Sequence, residues 1–214
     1  MKILLEGLRK FSSDVYPEHK DLFQKLSNGQ KPHTLMITCS DSRIDPNLVT
    51  QTEPGEIFVI RNAGNIIPPF GSSQGGEEAA IEFAIEALKV SNIVICGHTH
   101  CGAMSALMNH DIVKDLPSVA SWLDHAAATR RRCKDHTDKS AIKVVEENVL
   151  VQAENLKSHP AVSAGLGRKS LQIYGWVYHF ETGKVTIYDP TRGEYVLSSD
   201  VKSRADSDLK SLAI

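Results

Sequence analysis

"TLMITCSDSR", Thr34 to Arg43, runs from an apolar, β-branched segment straight into a thiol, a carboxylate and a guanidinium on alternate positions. Such a short apolar run reads as a buried strand. Side chains two apart share a face of a strand, so Cys39, Asp41 and Arg43 point the same way if the extension persists through Arg43. A core does not take up such a trio, which places chemistry at the strand's carboxyl end. Ser40 and Ser42 face the other way and are expected to hydrogen-bond the turn backbone. Outward from this stretch, "IFVI" (Ile57 to Ile60), "NIVIC" (Asn92 to Cys96) and "LQIYGWVY" (Leu171 to Tyr178) are three more runs of the same kind. Between them "GGEEAAIEFAIEALKV" (Gly75 to Val90) places Ala80, Phe83, Ala84 and Ala87 at helical spacing, with acids in its first turn. Further helices are expected over about 119–132 and 140–158. A Thr-Gly turn inside "YHFETGKVTIYDP" (Tyr178 to Pro190) predicts a closing hairpin. The alternation implies an α/β fold: a central, mostly parallel sheet of four parallel strands plus an antiparallel edge strand, flanked by helices and preceded by an N-terminal helical arm. Ligands of such sheets bind at the carboxyl ends of the strands.

The chain has 214 residues, 41% of them hydrophobic, enough for one sizeable core, and no linker or repeat divides it. The expected organisation is a single domain over 1–214, with the arm at 1–30, the sheet core and its site at 31–100, helices at 101–160, and strands and a tail at 161–214. A formal net charge of −2 argues against nucleic acid or anionic membrane as a partner, and the "RRRC" cluster (Arg130 to Cys133) is too short to change that. No apolar run approaches a membrane span, and Glu6, Arg9 and Lys10 interrupt the N-terminal segment where a signal peptide needs apolar residues. A cytoplasmic chain is expected. Four cysteines in so long a chain suit a reduced compartment and metal chemistry better than a disulfide framework.

"CGHTHCGAM" (Cys96 to Met104) follows its strand directly and holds an H-x-x-C pair, His98 and Cys101, in the turn to a helix that "GAMSALM" begins. With Cys39 at another strand end, three donors can converge. Thiolate and imidazole are preferred partners of tetrahedral zinc, which leaves a fourth position for Asp41 or water. Each piece has a plainer reading: a strand-end cysteine as a small buried hydrophobe, Asp-Ser-Arg as a loop ion pair. Their coincidence at two strand ends favours the metal. Cys96 is read as a packing thiol and Cys133 as a surface one. His100 can in principle replace His98 or Cys101, but should point elsewhere in a tight turn.

With "RNAGN" (Arg61 to Asn65) between these motifs, and with "EGLRKF", "PGEIFVIRNAGNIIPP", "ENVLVQAENL" and "GWVYHFETG" spread along nearly the whole chain, the sequence closely resembles the β-class carbonic anhydrases. The likeness is to bacterial members associated with cyanate operons and their cyanobacterial relatives. It implies one Zn2+ per subunit on Cys39, His98 and Cys101, and a catalytic dyad of Asp41 and Arg43. The activity implied is reversible hydration of CO2 to bicarbonate and a proton by attack of zinc hydroxide. Arg43 would keep the Asp41 carboxylate off the metal so that it can orient that hydroxide. Substrate-side residues implied are Gln30 from the partner subunit, Phe58, Ile60, Phe83, and Gly102 for close approach. A homodimer wrapped by its N-terminal helices is implied, with pairing into tetramers possible. Met36 stands where members closed by a noncatalytic bicarbonate carry tryptophan, so the open type is expected, although Phe83 replaces a tyrosine of open members. The rivals are a noncatalytic zinc protein and a hydrolase acting on a related electrophile such as carbon disulfide.

Overall fold

In the computed structural model, residues 1–72, 75–135, 140–201 and 210–214 are described, and the chain forms two compact units, 1–31 and 32–214, each taken by itself. The N-terminal unit contains helices Lys2–Lys10 and Lys20–Leu26. Phe11, Tyr16 and Phe23 pack ring against ring between them, while Leu4, Leu5 and Leu8 remain exposed on the first helix.

The larger unit is built on a six-stranded sheet: β1 (Thr34–Cys39), β2 (Ile57–Asn62), β3 (Asn92–His98), β4 (Gln172–His179), β5 (Lys184–Asp189) and β6 (Glu194–Leu197), in the order β2-β1-β3-β4-β5-β6. The first four are mutually parallel; β5 pairs antiparallel with β4, and β6 antiparallel with β5. The predicted hairpin is there, its Thr182–Gly183 turn closed by Gly183 N–H donating to the His179 carbonyl at 2.9 Å, with Gly183 at φ +66°. The expected antiparallel strand is β5, but it is not the edge: a sixth strand, β6, pairs antiparallel beyond it and so runs in the direction of the first four. β6 is four residues long with no buried position, so its own sequence carries little hydrophobic signal.

Both faces of the parallel strands are covered, which is why they read as continuous apolar runs rather than alternating ones. On one face Leu35, Ile37, Ile93, Ile95 and Ile173 meet Val144, Val145, Val149, Ala153 and Leu156 of the Ala141–Lys157 helix in the main core. On the other, Met36, Val94 and Cys96 join Ile44 in a smaller cluster. The expected 119–132 segment forms helices Pro117–Leu123 and Ala127–Asp135 joined by a 3-10 turn. Proline starts the first, and also starts a helix over Pro160–Gly167 that periodicity did not signal. The Gly76–Glu82 helix passes into a wider π turn at Phe83–Ala87.

Two buried strand glycines let the long helix lie close to the sheet. A Cβ at Gly97 would stand 2.7 Å from Val145 Cγ1 and 3.1 Å from Val149 Cγ2; one at Gly175 would stand 2.8 Å from Val149 Cγ1. Gly97→Ala should therefore cost about 1–3 kcal/mol through overpacking, read as a lower denaturation midpoint at unchanged slope. A variant as stable as the parent would show that the helix can move off the sheet freely.

Candidate metal centre

The parallel register brings the carboxyl ends of β1 and β3 side by side, with Thr38 opposite Cys96 and the strands ending at Cys39 and His98. Cys39, His98 and Cys101 are all buried, and their ligand atoms lie within 4.8 Å of one another. Two zinc–sulfur bonds at about 2.3 Å with tetrahedral angles need a sulfur–sulfur separation of roughly 3.8 Å, so the donor set matches such an ion in spacing.

His98 is prepared for coordination. Its Nδ1 donates to the Thr99 carbonyl at 2.8 Å, because a carbonyl can only accept, and this fixes the tautomer that leaves a lone pair on Nε2. That Nε2 is buried without a hydrogen-bond partner. An unpartnered polar atom deep in a protein is costly, and coordination of a cation would satisfy it. Cys101 occupies the cap position of the Gly102–Met108 helix. Between the two, His100 takes a left-handed conformation, φ +54°, and turns outward as the tight turn demanded.

The two thiols respond to each other. Hydrogen bonding from Cys101 pulls the Cys39 thiol well below its ordinary range against the opposing effect of burial, and the Gly64 N–H, 3.3 Å from Cys39 Sγ, helps. Cys101 is pushed up by the same shared hydrogen bond. The pair therefore holds a proton that a dication would displace. Cys96 is pushed up to about 12 by burial and remains a neutral packing thiol. Cys133, expected at the surface, is instead buried: its neighbours on the helix are charged, but its own side turns to the core.

Asp41 and Arg43 do come together, by a route other than strand alternation. Extension ends at Cys39, and the Asp41 carboxylate folds back to accept the Arg43 backbone N–H at 3.0 Å, forming an Asx turn. Arg43 then grips the carboxylate with two bonds, Nε to Oδ1 at 2.9 Å and Nη2 to Oδ2 at 2.7 Å. These bonds hold the Asp41 carboxyl well below the usual carboxylate range. Its Oδ2 stands 4.0 Å from His98 Nε2. The serines expected to bond this turn, Ser40 and Ser42, are exposed.

Two contributors were not singled out from sequence. Arg61 donates to the carbonyls of Cys39 at 3.0 Å, Asp41 at 2.7 Å and Ile44 at 2.9 Å, clamping the segment that carries the thiol and carboxylate. Gly64, at φ +80°, admits no side chain: a Cβ would stand 2.9 Å from Ala103 Cβ and 3.0 Å from Met104 Cε. Both lie in "RNAGN", where a glycine flanked by asparagine is a legible turn signal. Of the residues read as lining the substrate side, Phe58 and Phe83 have ring centroids 6.1 Å apart, Phe83 is 49% exposed, and Ile60 belongs to the core. A Cβ at Gly102 would have no heavy atom within 4 Å. Gln30 belongs to the N-terminal unit. Met36 is buried against Ile44, Val94 and Cys96.

Comparison with known proteins places this geometry among relatives. The family described as "Carbonic anhydrase" matches residues 34–185. A "Carbonic anhydrase" of Synechococcus elongatus is 53% identical over 191 residues, 86% of this chain and 70% of that protein. Among solved structures, that of the beta-carbonic anhydrase CcaA superposes with a TM-score of 0.89 at 47% identity, covering 92% of this chain and 91% of the other. One of two tetrameric beta-carbonic anhydrases from Sordaria macrospora gives a TM-score of 0.77 at 26% identity, over 87% and 95% of the two chains.

Proposed function

We propose, from the premise that this chain belongs to the carbonic anhydrase family, a division of labour for the reversible hydration of CO2 in which Cys39, His98 and Cys101 would hold a zinc ion. When bound, zinc supplies Lewis-acid chemistry that lowers the pKa of water. Cys39 and Cys101, as thiolates, would cancel its formal charge, so this centre would acidify water less than one of three imidazoles. Asp41 compensates. Its Oδ2 would accept a hydrogen bond from the attacking oxygen, which orients a lone pair on that oxygen toward the carbon of CO2; the new C–O bond gives bicarbonate, which keeps that hydrogen, and the other proton of the water goes to solvent. Arg43 keeps both carboxylate oxygens engaged, so that Asp41 serves as acceptor rather than ligand. Phe58 and Phe83 supply an apolar side for CO2, completed by Gly102 and by Gln30 of a second copy.

The orphaned Nε2 of buried His98, flanked by two buried thiols, is the observation that carries the reading. Stopped-flow measurement of CO2 hydration by the zinc-loaded protein tests it. A noncatalytic zinc protein would carry full metal and leave the uncatalysed rate unchanged, and that result would end the proposal.

The assembly we propose is a homodimer over the whole of 1–214, able to pair further. The exposed Leu4, Leu5 and Leu8 of the first helix support it, as do the tetrameric neighbours. Sedimentation should give a species of at least two subunits; a well-folded, active monomer would defeat the idea. Four free cysteines suit the cytoplasm as its setting, and among the described residues no helix is long and apolar enough to cross a membrane.

A further inference from the structure

The Asp41–Arg43 pair is joined by two bonds, yet two bonds between neighbouring side chains do not fix the pair relative to the metal ligands. Arg43 has a side chain 52% exposed and several free rotors. Two further contacts anchor it, and both lead to the β4–β5 turn. Arg43 Nη2 donates to the His100 carbonyl at 3.1 Å, and its Cζ lies 4.7 Å above the centre of the Phe180 ring. The same ring stands 4.9 Å from that of His98.

The His100 carbonyl is not held by its own backbone preference. A left-handed conformation is uncommon for a residue with a side chain, so something must keep the chain there. Glu181 does so from 81 and 82 residues away: one carboxylate oxygen accepts from His100 Nε2–H and the other from Thr99 Oγ1 at 3.0 Å. Thr99 in turn accepts the Phe180 backbone N–H at 3.1 Å and donates its own N–H to the Tyr178 carbonyl at 2.9 Å. His100 and Glu181 are largely exposed, so their contact adds little to stability. Its effect is geometric.

We infer that Glu181 is a positioning residue for the Asp41–Arg43 pair: by tying Thr99 and His100 to the β4–β5 turn it sets the carbonyl that receives Arg43 and the height of the Phe180 ring beneath it. Without this tie, Arg43 keeps Asp41 but the two swing together, and the carboxylate leaves its place beside His98. The inference rests on the proposed role of the pair.

Glu181→Ala and Glu181→Gln, examined together, test it. Glutamine keeps one carbonyl oxygen that can accept from Thr99 or His100; alanine keeps none. In zinc-loaded Glu181→Ala, kcat should fall about tenfold, as expected for misplacement of a pair by a fraction of an ångström, with KM little changed, and Glu181→Gln should recover most of the loss. Zinc content should be unchanged in both. The Arg43 Nε–H signal, followed by NMR in metal-free and loaded protein, should exchange faster with water in the alanine variant than in the parent. Parent-like kcat and Arg43 exchange in Glu181→Ala would overturn the inference, as would a glutamine variant as impaired as the alanine one. Arg43→Ala, measured alongside, separates the two levels. If it is inactive while Glu181→Ala is unimpaired, only the positioning role fails; if it is fully active, the role of the pair fails first.

Discussion

Substitution of any one of Cys39, His98 or Cys101 by alanine is expected to empty the metal centre and reduce CO2 hydration to background. Zinc sites of four protein ligands bind with about 10–16 kcal/mol near neutral pH, roughly 2.5–4 kcal/mol for each ligand if shared equally. Losing one of three protein donors should then weaken binding by about 10²- to 10³-fold. The fold should survive, because His98→Ala gives up one hydrogen bond, from Nδ1 to the Thr99 carbonyl, while removing the unpartnered Nε2, and the thiols are small. Cys96→Ala is the control. Its sulfur packs in the smaller cluster with Met36 and Val94, apart from Cys39 and Cys101 in the main core, so metal should be retained. Elemental analysis of the four purified variants decides the matter: full zinc after loss of any one of the three, with an empty site in Cys96→Ala, would mean that the ligands were wrongly assigned.

Arg43→Ala should abolish activity and leave the zinc in place. In the parent, both Asp41 oxygens are engaged and the carboxyl is held ionised. Without the guanidinium its pKa returns toward the ordinary value of about 4, still ionised at neutral pH. Such a carboxylate is itself a zinc ligand, and Oδ2 starts only 4.0 Å from His98 Nε2. A rotation about the Asp41 side chain would then place it in the fourth position and exclude water. A loss of about 10²-fold or more in kcat is expected, comparable with removal of a principal polar group from an active site. A crystal structure of the zinc-loaded variant should show an Asp41 carboxylate oxygen in the fourth position in place of water. Retained activity, or activity lost with Asp41 still away from the metal, would show that Arg43 acts otherwise.

The strands and the donor set are legible in sequence because their signals are local. A strand buried on both faces writes itself as one apolar run, and His98 with Cys101 needs only one turn to converge. The course of the chain after Cys39 is not written locally. Alternation placed Asp41 and Arg43 on one face of a continuing strand, but the pairing with β2 ends at Cys39 and Asn62, and beyond it Arg61 takes the carbonyls that a neighbouring strand would have bonded. The two side chains meet through an Asx turn instead. Cys133 shows the same limit: three arginines precede it, and burial came from how its helix packs rather than from its neighbours in sequence. Gly64 beneath Cys39, Phe180 beneath Arg43 and Glu181 across from His100 are partners 25, 137 and 81 residues apart. Periodicity reports which way a side chain faces within its own element. Which distant group it meets there depends on strand order and register, and those arise only when the whole sheet closes its hydrogen bonds and buries both faces at once.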